Sequence, residues 1–435
     1  MKTNINQIFQ NRKNDSLFNT SYPLRPDDWY EYLAEDIPLP FPSIKTAFYI
    51  HIPFCKRLCS FCEYAKIPLP NIVWQRRYID TLKADISRFL AQSTPILYGF
   101  DIGGGTPTAL DDEPFGALLD LYDNTRRKVK YDGETYFEPS IEGTFGTLSD
   151  WKVERIARSG IQRMSLGIQS TSEDVLKANF RSGVPIAEIC KWIDKIHAAG
   201  IPKVNLDFMY GIKGQSISTI EADLDAISEI KPEHITIYEF RPNQVAKIPP
   251  FSKSELWHFY NRLYDGLTNM GYSARYGQNT FTRCDGDFGM SSYLRNRMLN
   301  GCAYKGFGIA AQSMNYYGLS YNSGKLRFGK DVLEEATAAG TFESGYHYAL
   351  SRQELFNKFA AISAYSGSID LNAGQRLVNT AITFPFVNIK NYYGSEINFV
   401  INEGLMTLEG NKLFITRKGM EYYGAVFSLF YKKID

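Results

Sequence analysis

An α/β fold of six strand–helix units is the architecture this 435-residue sequence predicts, and three observations predict it. Short apolar strands alternate with amphipathic helical stretches along the first 270 residues. A run of three glycines closes the second strand, and three of only six cysteines fall within eight positions after the first. Repetition of strand and helix is the mark of a parallel sheet wrapped by helices.

The units follow in order. "AFYIHI" (Ala47 to Ile52) leads, through the cysteine loop, to helical spacing in "VWQRRYIDTLKADISRFLAQ". "ILYGFDI" (Ile96 to Ile102) precedes a helix around "FGALLDLY", and "TYFEP" at 135–139 is the expected third strand before "LSDWKVERIARSG". "RMSLGI" (Arg163 to Ile168) precedes two helical patterns, "KVNLDFMYGI" (Lys203 to Ile212) precedes "ISTIEADLDAISEI", and "HITIYEF" precedes a helix over 252–271. Six such units make a partial barrel or an open sheet. In both, chemistry gathers at the carboxyl ends of the strands.

Composition narrows the function classes. With 48 Lys and Arg against 47 Asp and Glu, the net charge is +1, so no overall field points to nucleic acid or an acidic membrane. The N-terminus lacks an apolar signal core and no run approaches the ~18 apolar residues of a membrane span. A cytoplasmic, monomeric protein with no nucleic-acid or membrane partner is expected. In that reducing setting Cys190, Cys284 and Cys302 read as unpaired core residues.

Cys55, Cys59 and Cys62 are spaced C-x-x-x-C-x-x-C. Three thiolates on one loop can hold three irons of a cubane [4Fe-4S] cluster and leave the fourth iron open to a chelating molecule. The competing structure is a zinc knot with His51 as fourth ligand. In "GGGTPT" (Gly103 to Thr108), glycines allow close backbone approach to a ligand. Glu138, Gln169, Arg181 and Asp207 are expected at the ends of later strands, and each alone has a structural alternative as a helix cap, a loop contact or a surface charge. On one rim they describe a pocket for a charged, ribose-bearing cofactor.

Together "YIHIPFCKRLCSFC", "GGGTPT", "RMSLGIQS", "NLDFMYGI" and "GFGIAAQS" resemble the radical S-adenosylmethionine superfamily, in particular the oxygen-independent coproporphyrinogen III oxidase family. The likeness covers roughly residues 47–320. It implies a partial (β/α)6 barrel at 46–245 between an N-terminal extension (1–45) and a family-specific extension (246–345). A small α+β C-terminal domain of winged-helix-like type (346–435), with a hairpin turning at Gly410 and Asn411, would follow. By resemblance Cys55, Cys59 and Cys62 hold a [4Fe-4S] cluster whose open iron is chelated by S-adenosyl-L-methionine, in one or two molecules. Reductive cleavage would give a 5′-deoxyadenosyl radical, with flavodoxin or ferredoxin as electron donor.

The same resemblance sets Tyr49 beside the sulfonium, Phe61 near adenine, and Gly104, Gly105 and Thr106 against the bound cofactor. Glu138, Gln169, Arg181, Asp207 and Gln312 supply its remaining contacts. Two departures bear on the substrate: Tyr64 stands where the oxidase has a further cysteine, and "QNTFTR" (Gln278 to Arg283) replaces its "DHFA"-like segment. The implied activity is a radical reaction on a tetrapyrrole, by decarboxylation, ring opening or methyl transfer. The alternatives are a methyltransferase using two S-adenosylmethionine molecules on a heteroaromatic or alkene metabolite, and a non-catalytic haem chaperone.

Overall fold

The computed structural model describes residues 4–14, 33–34, 38–131, 133, 137–242, 247, 250–324, 329–381 and 387–431. Six parallel strands form its centre: β1 (Lys45–Ile52), β2 (Ile96–Gly104), β3 (Ser140–Gly143), β4 (Arg163–Gln169), β5 (Lys203–Tyr210) and β6 (His234–Glu239), hydrogen-bonded in that order. Each connection runs through a helix, the main ones being Ile72–Gln92, Asp112–Lys128, Asp150–Arg158, Ile186–Ala198 and Ile217–Ile230, and the helix Lys253–Asn269 follows β6. Helix starts are set by side chains: Asn71 accepts from the Trp74 N–H, and Ser252 with Glu255 makes a reciprocal capping box.

Alternation along β1 sends Phe48, Ile50 and Ile52 to the helical layer and Tyr49 and His51 to the inner face. Phe48 meets Phe89, Phe100 and Phe307 at centroid distances of 5.8, 5.6 and 5.5 Å, all edge-on. Such pairs add about 0.5–1.5 kcal/mol each beyond burial. The Tyr78 hydroxyl, on the first long helix, donates to the His51 carbonyl at 2.6 Å and accepts from the Ile309 N–H at 3.1 Å. That helix is thereby fixed to the carboxyl end of β1.

The expected third strand is displaced. Residues 135 and 136 of "TYFEP" lie outside the described residues, and Phe137, Glu138 and Pro139 precede the strand, which is Ser140–Gly143. Pro139 cannot donate to a ladder, and its carbonyl instead accepts from the Gln162 and Arg163 N–H groups at 3.1 and 3.2 Å. The shift puts Glu138 at the amino end of the sheet and Glu142 at the carboxyl end.

Beyond β6 the strand Thr280–Thr282 adds antiparallel, and on the other edge Ala303–Phe307 pairs parallel with β1. Gln312–Asn315, Gly318–Tyr321, His347–Ala349 and the two-residue segment Leu33–Ala34 extend that edge to a twelve-stranded sheet. The helix Ser292–Met298 lies on the inner face, so near β2 that a Cβ on Gly99 would fall 2.5 Å from the Tyr293 nitrogen. Its Ser291 cap donates to Asp101, and Ser292 donates to the Glu138 carbonyl at 3.0 Å. The amino end of the curled sheet is thus filled. A second sheet, Ser368–Asp370, Lys412–Ile415 and Met406–Glu409, packs with the C-terminal helices, and its hairpin turns at Gly410 with φ +61°. No helix among the described residues is long and apolar enough to cross a membrane.

Candidate active site

The cysteine loop begins where β1 ends. Phe54–Cys55 pairs parallel with Ile67–Pro68, and the Leu69 N–H donates to the Cys55 carbonyl at 2.9 Å, so a closed loop presents Cys59 and Cys62. All three thiols are free. Burial pushes the Cys55 thiol up to about 11 and raises that of Cys62, so metal binding must displace protons. The three sulfurs do not lie within 4.8 Å of one another. One tetrahedral zinc, with Zn–S near 2.3 Å, needs its sulfurs about 3.8 Å apart, closer than at least one of these pairs lies, whereas a cubane takes each thiolate on a separate iron. His51, the other ligand of the zinc alternative, has its Nε2 3.0 Å from the Ala65 carbonyl.

The glycine run serves this loop. The Gly105 and Thr106 N–H groups donate to the Ile52 and Phe54 carbonyls at 2.7 and 2.9 Å, and Thr106 Oγ1 lies 3.6 Å from Cys55 Sγ. These two amides therefore hold the cysteine loop and are not presented to a ligand. A Cβ on Gly105 would come 2.9 Å from Cys55 Sγ, which is why a glycine is needed there. Gly104, at φ +119°, donates its N–H to Glu142 Oε2 at 2.9 Å. A cavity of about 350 Å³ opens between Cys59, Thr106, Gly167 and Arg181.

Five expected residues lie around this end of the sheet. Arg181 Nη1 is 3.7 Å from Cys59 Sγ, and its Nη2 donates to the Gly167 carbonyl. Gln169, held at φ +68°, has a buried Oε1 without a hydrogen-bond partner. An orphaned acceptor beside a cavity suits an incoming donor. Asp207, level with Gly167 in the sheet, accepts from Ser165 and Asn205 at 2.9 and 2.8 Å, and burial raises its pKa. Tyr49 stacks on Tyr293 with ring centroids 5.5 Å apart. Phe61 packs on the small cluster of Val175, Ile212 and Phe240.

Glu138 does not join them. At the amino end of the sheet it is 1% exposed and bridged by Lys203 Nζ at 2.5 Å, which also reaches Asp287 at 2.5 Å. The carboxylate on the rim is Glu142, four residues later: the strand-like composition of 135–139 points to Glu138, whereas the strand itself is Ser140–Gly143. Burial, with Asp207 nearby, pushes Glu142 up to about 7. Glu142 and Tyr64 both keep solvent-accessible surface, 58% for Tyr64, and lie close enough for the Glu142 charge to help raise the Tyr64 pKa. Tyr238 lies near them, with its pKa raised by burial and by the charges of Asp207, Tyr64 and Glu142. Gln312 lies farther along the inner face with its amide engaged: Oε1 accepts from Arg297 at 2.6 Å and Tyr304 at 2.7 Å, and Nε2 donates to Tyr321 at 2.6 Å.

Known proteins match this arrangement. The model of the Radical SAM superfamily covers residues 49–227. A heme chaperone, HemW, of Lactococcus lactis is 24% identical over 401 residues, 88% of this chain and 96% of its own. An anaerobic coproporphyrinogen III oxidase of Cereibacter sphaeroides is 26% identical over 228 residues, 51% of this chain and 49% of its own. The solved coproporphyrinogen III oxidase HemN of Escherichia coli superposes with a TM-score of 0.73 at 19% identity, covering 95% of this chain and 97% of that one, and so shares the fold. Residues 49–227 match the Radical SAM superfamily, and over most of its length the chain is similar to HemN-like proteins of that superfamily.

Proposed function

We propose that the protein is a radical enzyme acting on a tetrapyrrole, with a [4Fe-4S] cluster on Cys55, Cys59 and Cys62 and S-adenosyl-L-methionine beside it. The observation that carries this reading is the carboxyl end of the barrel, where Cys59, Thr106, Gly167 and Arg181 border one cavity and Gln169, Asp207 and the Gly104–Glu142 pair lie at the neighbouring strand ends. When bound, the two cofactors supply a 5′-deoxyadenosyl radical able to abstract hydrogen from an unactivated carbon.

The chain's own residues bind and orient. Arg181 is placed to pair with a carboxylate, and Gln169 Oε1 to accept an N–H or O–H. Glu142 and Asp207 suit ribose hydroxyls or an ammonium; in this reading Glu142 takes the role first expected of Glu138. Tyr49, pinned on Tyr293, forms the wall on the cluster side, and Phe61 offers an apolar face to a base. Exposed Lys56 and Arg57 on the cysteine loop suit an acidic electron donor such as flavodoxin or ferredoxin.

The test is anaerobic reconstitution followed by incubation with S-adenosylmethionine, dithionite and a panel of tetrapyrroles, with deoxyadenosine and tetrapyrrole products measured by mass spectrometry. Deoxyadenosine formed in step with conversion of one tetrapyrrole is the expected result. A second reading is favoured by the relatives named heme chaperones: tight haem binding with little deoxyadenosine would select it. Deoxyadenosine together with S-adenosylhomocysteine would select methyl transfer with two S-adenosylmethionine molecules.

A further inference from the structure

Three arginines reach deep into the barrel, and they differ in what balances their charge. Arg163 acts on Asp101 and Asp207, lowering the pKa of each against the effect of burial, and its three nitrogens reach His234, Ser140 and Gly289. Arg241 has Glu63 at 3.5 Å and donates to the Tyr365 hydroxyl. Arg297 has no carboxylate within ion-pair distance among the described residues. It projects from the inner helix Ser292–Met298, one turn beyond Tyr293, where Nη1 donates to the Tyr293 hydroxyl at 3.1 Å and Nη2 to Gln312 Oε1 at 2.6 Å. Its Nε has no partner, and the Tyr304 ring centre is 4.3 Å from the guanidinium carbon.

A guanidinium offers five N–H donors; here Tyr293 and Gln312 each take one, the Tyr304 hydroxyl is within interacting reach, and Nε is left without a partner. Burying it among neutral hydroxyls, rings and one amide is unfavourable unless an anion completes the site. The group is nevertheless held still. Gln312 takes hydrogen bonds from both Arg297 and Tyr304 while donating to Tyr321, so the guanidinium is fixed in one orientation. Arg297 also keeps accessible surface. Through Tyr293, stacked on Tyr49, it lies one ring pair from the rim that faces the cysteine loop, and Tyr365 lies within the electrostatic reach of both Arg297 and Arg241.

We propose that Arg297 is the anchor for a carboxylate of the substrate, and that the protein therefore selects a flat apolar molecule bearing a carboxylate arm over its neutral ester. This rests on the reading of the barrel interior as a substrate chamber. A carboxylate is matched by the planar fork of remaining donors, and Tyr293 and Tyr304 supply ring surface for the apolar part.

The experiment titrates cluster-reconstituted protein with protoporphyrin IX and with its dimethyl ester, followed by absorbance. Wild type should bind the diacid about tenfold or more tightly than the diester. Arg297→Lys should narrow that ratio. Gln312→Glu should abolish it without lowering the melting temperature, because it gives Arg297 an internal carboxylate. A merely structural Arg297 would leave the ratio intact in Gln312→Glu. Equal binding of diacid and diester by wild type, or a ratio retained in both variants, overturns the proposal. If wild type binds neither porphyrin, the tetrapyrrole reading falls and benzoate decides the anion site alone. Thermal stabilisation of wild type by excess benzoate, lost in Gln312→Glu, upholds it, and no stabilisation of wild type overturns it.

Discussion

Glu138 and Glu142 are four residues apart and have opposite expected phenotypes. Glu142→Gln removes a charged acceptor from the rim, so S-adenosylmethionine affinity, read by equilibrium dialysis, should fall by about 1.5–3 kcal/mol with stability little changed at neutral pH. Glu138→Gln should leave that affinity alone and cost about 1–3 kcal/mol in urea unfolding, because Lys203 loses a buried charged partner. Equal effects of the two variants on affinity would count against this assignment. Glu142 also sets a pH dependence. Its pKa is raised from 4.5 to about 7 in the folded chain, so the folded state holds the proton more tightly than the unfolded one. Stability contributed by that proton is full below about 4.5 and is lost as pH rises through about 7. Wild type minus Glu142→Gln stability should therefore decline across that window; a difference flat with pH would refute it. At this scale the cysteines were legible because their chemistry is local in sequence. The glutamate was not, since its place depends on the register of a four-residue strand, and the Arg297–Gln312 network needs contacts that no spacing rule encodes.

The cysteine loop and glycine turn act as one element. The Gly105 and Thr106 amides hold the backbone of Ile52 and Phe54, and a Cβ at Gly105 would meet Cys55 Sγ and the Phe54 carbonyl, both at 2.9 Å. Gly105→Ala must push the loop outward. Iron after anaerobic reconstitution should drop well below the roughly four per chain expected of a cubane, while far-ultraviolet dichroism stays native. Gly394→Ala, at a site with nothing within 4 Å of the added carbon, should reconstitute like wild type. Full iron loading in Gly105→Ala would show that the loop is more adaptable than its hydrogen bonds suggest. Five of the six parallel strands were legible because each is a short, nearly continuous apolar run set between helical patterns. The third was not, because "TYFEP" has the more strand-like composition while Pro139 confines pairing to the residues after it. Leu33–Ala34 was also hidden: its partner, His347–Tyr348, is more than three hundred residues away, and two residues carry no period.

At the scale of the whole molecule, the chain's beginning is packed onto its end. The helix Ile5–Arg12 buries Phe9 to 5% exposure, with ring centroids 5.5 Å from Phe399 and 5.8 Å from Tyr422. Arg12 Nη1 donates to the Ser428 carbonyl at 3.0 Å. The same C-terminal body reaches the barrel: Tyr423 donates to the Ala364 carbonyl, and the adjoining Tyr365 receives Arg241 from the end of β6. Phe9→Ala should remove about 3–5 kcal/mol of packing, and because stability is local the loss should fall on the C-terminal body first. Limited proteolysis beyond residue 350 should accelerate and the first melting transition should move down by several degrees. Reconstituted iron should stay at the wild-type level, since the cysteine loop is fixed by β1, β2 and its own ladder. Unchanged proteolysis in Phe9→Ala would mean that the N-terminal helix rests on a body already stable without it. Lost iron would mean that cluster binding depends on closure by the C-terminal body, and the loop would then not be the self-contained element that its hydrogen bonds describe.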